Sequence, residues 1–153
     1  MRFLSILFVL GVVAAAPAAT YNWVFGLDGL QEVPPNASPA TGLAVVDYDD
    51  ASNLLQWNVS YQGLLGTFTA AHFHGPALPG QNAGVRVGLT IGPSPMVGSA
   101  TITDAFETEL LGGLWYLNLH SSQFPGGEIR GQVVPEPATL GLLALGVLAL
   151  RRR

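Results

Sequence analysis

Between Ala19 and Val134 the chain alternates with a period of two. In Leu54-Leu55-Gln56-Trp57-Asn58-Val59-Ser60-Tyr61, the residues Leu55, Trp57, Val59 and Tyr61 fall on one face. Gln56, Asn58 and Ser60 fall on the other, the signature of a strand with one side buried. The same reading predicts strands over Asn22 to Leu30, Gly42 to Tyr48, Thr69 to His74, Val85 to Ile91, Gly98 to Thr103, Leu114 to His120 and Glu128 to Val133. Turn signals separate them: Pro34-Pro35-Asn36, Asp49-Asp50, Gly75-Pro76, Pro79-Gly80-Gln81-Asn82, Gly92-Pro93 and Pro125-Gly126-Gly127. One helix is predicted, Asp104 to Leu111, with Asp104 as its N-cap and Gly112 as its stop. Eight short strands at this spacing predict an all-β domain, an antiparallel β-sandwich or flattened barrel with Greek-key connections. Its length suits one domain, residues 19–134.

The alternation stops at both ends, where continuous apolar runs take over. Arg2 precedes the run Phe3 to Val13, and Ala16-Pro17-Ala18 offers the small-x-small pattern read by signal peptidase. Residues 1–18 are therefore expected to be a removed signal peptide, since the run is shorter than the roughly 20 residues a membrane span takes. At the other end Pro135-Glu136-Pro137 precedes the apolar stretch Ala138 to Leu150, closed by Arg151, Arg152 and Arg153. A helix of that stretch is about 20 Å long, and the arginines would hold its end on the cytoplasmic side. Motif, apolar helix and basic terminus in that order resemble the PEP-CTERM sorting signal, over residues 135–153. The resemblance implies transient membrane association, recognition and cleavage by an exosortase, and transfer to the cell surface or extracellular matrix.

Those ends change the charge balance. The chain has six basic residues, all arginine, against ten acids. Only Arg86 and Arg130 lie between the terminal segments, which leaves the processed protein at about −8. No basic surface remains for nucleic acid. Without cysteine the exported domain is held by its core alone.

Three motifs inside the domain resemble those of the CHRD (chordin-type) family. They are Leu27-Asp28-Gly29-Leu30-Gln31-Glu32-Val33-Pro34-Pro35, Ala70-Ala71-His72-Phe73-His74-Gly75-Pro76-Ala77, and Tyr116-Leu117-Asn118-Leu119-His120 followed by Phe124-Pro125-Gly126-Gly127-Glu128-Ile129-Arg130-Gly131-Gln132. The resemblance implies an immunoglobulin-like or superoxide-dismutase-like β-barrel, in agreement with the strand count. It implies no settled activity. An exported, non-catalytic binding or structural module with a protein or polysaccharide ligand is the first expectation.

The three histidines of the chain, His72, His74 and His120, all fall in these motifs. On a strand His72 and His74 share one face and Phe73 takes the other. With Leu117 and Leu119 inward, Asn118 and His120 point outward. If the two strands are neighbours, three imidazoles converge on the barrel's outer face, a donor set for copper or zinc. A metal-binding, redox-type domain is the alternative expectation, with Asn118 or Glu128 orienting a ring N–H. The arrangement resembles the copper site of Cu,Zn superoxide dismutases. It lacks that site's fourth copper histidine and its zinc site, so dismutation is not implied.

Glu32 is expected to satisfy backbone donors of its turn, with a role in the histidine site as the alternative, and Glu128 and Arg130 to form a surface pair with each other or with a neighbouring strand. Asp47, Asp49 and Asp50 are expected to serve a hairpin, with a weak calcium site as the alternative. No catalytic residues are assigned: there is no cysteine, no Gly-x-Ser-x-Gly elbow and no phosphate loop.

Overall fold

The computed structural model describes residues 19–134. The segments 1–18 and 135–153, with Pro135, Glu136, Pro137, Arg151, Arg152 and Arg153, lie outside the described residues. Eight strands form: β1 (Thr20–Asp28), β2 (Thr41–Asp49), β3 (Leu54–Gln62), β4 (Phe68–His74), β5 (Val85–Leu89), β6 (Met96–Thr101), β7 (Trp115–Ser121) and β8 (Ile129–Val133). They make one antiparallel sheet in the order β5-β4-β7-β8-β1-β2-β3-β6. The sheet wraps round into a flattened barrel with β5 and β6 at its edges. The turn of the sheet comes between β8 and β1, which share a single register pair, Asp28 with Arg130.

The period-two pattern decides which side faces in. Leu55, Trp57 and Val59 of β3 are buried with Tyr61 packed against them. They meet Phe73 of β4 and Leu117 and Leu119 of β7 from the opposite half of the barrel. Trp57 and Phe73 make the central contact, edge to face with centroids 5.8 Å apart. The indole lies so close to β6 that a Cβ on Gly98 would stand 2.6 Å from it, so only glycine fits opposite Trp57.

The one helix among the described residues, α1 (Asp104–Leu111), has the predicted bounds but not the predicted cap. Thr103 is the N-cap, its hydroxyl accepting from Phe106 N, and Asp104 sits in the first turn. The two residues compete for one role, and extended backbone at Thr103 assigns it. Gly112 closes the helix as expected.

Glu128 and Arg130 are not the expected surface pair: both are fully buried and they do not bond to each other. The outer side of β8 is covered by loops. Glu128 accepts from Ser38 Oγ at 2.7 Å and Leu65 N at 2.8 Å. Arg130 donates to Gln81 O at 2.8 Å and to Asn82 Oδ1 at 3.3 Å. The three aspartates of the β2–β3 region also serve separate partners. Asp47 holds Asn22, Asp49 accepts from Ala51 N and Ser52 N, and Asp50 accepts from Ala19 N.

Trp57→Ala is expected to cost about 3–5 kcal/mol, because the vacated volume lies in the middle of the core and cannot collapse. Gly98→Ala, which drives a methyl into the same ring, is expected to destabilise as well. Thermal or urea unfolding checks both; an unchanged midpoint for Trp57→Ala would overturn the assigned strand facing.

Candidate metal centre

The histidines converge because β4 pairs with β7 in a particular register. His72 lies opposite Asn118, His74 opposite Tyr116 and Ala70 opposite His120. His120 is thus the diagonal neighbour of His72, and the methyl of Ala70 leaves the space beside it open for both rings. Ring centroids of His72 and His120 are 5.1 Å apart, and those of His72 and His74 are 5.4 Å apart. One nitrogen from each ring lies within 4.8 Å of the other two. Among the described residues this is the group of three or more His, Cys, Asp or Glu side chains close enough to share an ion.

Backbone carbonyls set the ring orientations. His74 Nδ1 lies 3.0 Å from Ala83 O, and His120 Nδ1 lies 2.9 Å from Pro125 O. A carbonyl only accepts, so both rings carry the proton on Nδ1 and present Nε2 as a lone pair. His72 Nδ1 is 3.2 Å from His120 Nε2, and in the neutral cluster it is therefore the donor to that lone pair. His74 Nε2 is buried with no hydrogen-bond partner. Nitrogens on one tetrahedral zinc or copper ion stand about 3.3 Å apart for bonds of about 2.0–2.1 Å. The His72–His120 separation already matches that edge.

The surroundings disfavour positive charge on the rings. Burial lowers the pKa of His72, and the neighbouring His120 and His74 lower it further. Burial likewise lowers that of His74, against the bond to Ala83. Both therefore stay neutral, and able to bind a metal, to lower pH than a free imidazole.

Three loops close over this face. The segment that follows β1 is tied to the β4–β5 loop by Asn82 Nδ2 donating to Val33 O at 3.0 Å. It is tied to the β7–β8 loop by Asn36 Nδ2 donating to Glu128 O at 3.1 Å. Glu32 is carried inward by this segment. It is 5% exposed, its Oε1 has no partner, and its pKa is raised to about 7. Loss of hydration causes the rise, outweighing the pull of Arg130 and hydrogen bonds from Val33 and Asn118. Gly127, at φ 135°, is the residue against which Glu32 and Asn118 pack, and any side chain there would collide with both. Glu32 thus belongs to the buried polar layer around the histidines rather than simply to its own turn.

Of the expected orienting groups, Glu128 is excluded, since its bonds go to Ser38 and Leu65. Asn118, the other expected group, does reach His74 and works to raise its pKa, and main-chain oxygens, which carry no side-chain signal in the sequence, hold Nδ1 of His74 and His120. Tyr116 was also not foreseen. Its ring stacks on His74 with centroids 4.9 Å apart and planes at 3°. Its hydroxyl accepts from Ala83 N at 3.1 Å, so it fixes the residue that fixes His74.

Comparison with known families places these features. The CHRD domain model matches residues 24–133, which contain β2 to β8, the second half of β1 and all three histidines. The PEP-CTERM protein-sorting motif model matches residues 133–153. A search of curated proteins and of solved structures finds no match. The sorting motif marks the protein as exported, anchored in the membrane before processing, and processed by an exosortase-type system. With its family model spanning all of the barrel but the start of β1, the chain belongs to the CHRD domain family.

Proposed function

We propose that this protein is an exported metal-binding module that holds one copper or zinc ion through His72, His74 and His120. The observation that carries the reading is the convergence of one nitrogen from each ring within 4.8 Å, with two rings held in the ligating tautomer by Ala83 O and Pro125 O. A cluster kept only for packing has no need of a buried imidazole nitrogen without a partner, as His74 Nε2 is. A metal ion supplies that partner, and it replaces the His72–His120 hydrogen bond by two coordinate bonds. The proposed role is binding rather than turnover, which accords with a module delivered to the cell surface or its matrix. A protein or polysaccharide ligand is a second reading, supported by the sorting motif alone.

Zinc or copper is expected to bind the purified domain at one equivalent, measured by competition with a chromophoric chelator. Replacing any one histidine by alanine is expected to weaken binding at least tenfold without unfolding the domain. Binding that survives loss of His120 would reduce the site to the His72–His74 pair. Because the folded pKa values of His72 and His74 are lowered, affinity should hold to below about pH 6.5 and then fall as the imidazoles take up protons. The stability of the metal-free domain has the same sign: the histidine contribution is complete above about 6.5, the unfolded value, and is lost as pH falls through the lowered folded values.

The finer location follows from processing. Mass spectrometry of protein recovered from the surface or matrix is expected to show a chain lacking residues 138–153. Recovery of the intact tail from cells with an active exosortase would replace release by permanent anchoring.

A further inference from the structure

The wall beside the three histidines holds a positive charge with no negative partner. Arg130 is 1% exposed, and its hydrogen bonds go to Gln81 O, Asn82 Oδ1 and Gln132 Oε1, all of them neutral groups. The only other arginine among the described residues, Arg86, is paired with Glu109 at 2.7 Å. The carboxyl that feels Arg130 is Glu32, and burial keeps Glu32 protonated up to about pH 7. Below that pH, therefore, Glu32 does not offset the positive charge of Arg130.

That charge faces the metal ligands through one aromatic ring. The guanidinium carbon of Arg130 lies 3.4 Å from the centroid of Tyr116, and the His74 imidazole stacks on Tyr116 at 4.9 Å. β7 lies between β8 and β4, so the guanidinium and the imidazole occupy opposite faces of that ring. The ligands themselves are three neutral imidazoles, with no carboxylate or thiolate among them. The charge stacked against the ligand set through Tyr116, that of Arg130, thus opposes a cation, and opposes a doubly charged one twice as strongly as a singly charged one. Across a separation of roughly 8 Å in a partly buried setting, that difference is worth more than a factor of ten in the ratio of binding constants.

We infer that the site is built for a monovalent ion, Cu(I), and that Arg130 is the residue that sets this preference against Cu(II) and Zn(II). Three imidazole nitrogens satisfy a three-coordinate Cu(I) without further donors, whereas a dication needs a fourth ligand or an anion to complete its shell. The inference rests on the reading of the histidines as a metal site, and it adds the charge state of the ion.

The test uses the folded domain at pH 6.5. Cu(I) is titrated anaerobically against a chromophoric Cu(I) chelator, and Zn(II) and Cu(II) against their own chelators, in wild type, Arg130→Met and Arg130→Lys. Wild type is expected to hold Cu(I) more tightly than Cu(II). Arg130→Met is expected to raise the affinity for Zn(II) and Cu(II) at least tenfold relative to that for Cu(I), and Arg130→Lys, which keeps the charge, to leave the ratio near wild type. If Arg130→Met does not fold, Glu32→Gln at pH 8 reads the same charge from the other side. It removes the carboxylate that offsets Arg130 there, so dication affinity should fall relative to Cu(I). A ratio unmoved by the charge change in whichever variant folds would overturn the role of Arg130. Equal or tighter binding of Cu(II) by wild type would overturn the Cu(I) preference, leaving the metal site itself intact. Absence of binding by all three ions would overturn both.

Discussion

The pairing of β4 with β7 is the constraint on which both the core and the site depend. One register, His72 opposite Asn118, sends Phe73 and Leu117 into the barrel and turns four polar residues onto the other side. Because side chains alternate with a period of two, a slip of one residue would bury the imidazoles and expose the apolar set. The hydrophobic effect therefore specifies the histidine geometry indirectly: the cost of exposing Phe73, Leu117 and Leu119 holds the pairing in place. The imidazoles inherit their positions from residues they do not touch.

Strand content and facing were legible because they are local. The alternation in Leu54 to Tyr61 and the His-x-His spacing each needed only neighbouring residues to be read. What the alternation does not contain is what lies above an outward face. Arg130 alternates outward on β8 and looks like a surface residue, yet the loop carrying Gln81 and Asn82 folds over it from some fifty positions away. Glu128 was misjudged for the same reason, whereas Glu32 does accept from Val33 of its own turn as well as reaching the polar layer. The orienting oxygens of Ala83 and Pro125 were invisible for a second reason, since every residue has a carbonyl and only the folded chain shows which one is in place.

The site is polar, nearly closed, and built mostly from neutral groups that exchange single hydrogen bonds. Such layers are costly when left unsatisfied, and His74 Nε2, Asn118 Oδ1, Glu32 Oε1 and Glu128 Oε2 are all buried without partners. Three of these four residues lie in the layer around the histidines. A core assembled for stability alone would have filled this volume with aliphatic side chains, particularly in a domain with no disulfide to spare.

The place where the chain leaves the barrel has a mechanical consequence. The sorting motif begins at the end of β8, and the entrance to β8 is the loop whose Pro125 carbonyl orients His120. A pull on a membrane tether is applied along β8, parallel to its ladder with β7, which runs from Trp115 opposite Val133 to Leu119 opposite Ile129. Force in that direction loads all the ladder bonds together, in shear, instead of peeling them one at a time. The strand that bears the tension also carries Arg130 and Gln132, which clamp the loops over the histidines, so strain on the anchor is shared between the core residue Val133 and those clamps.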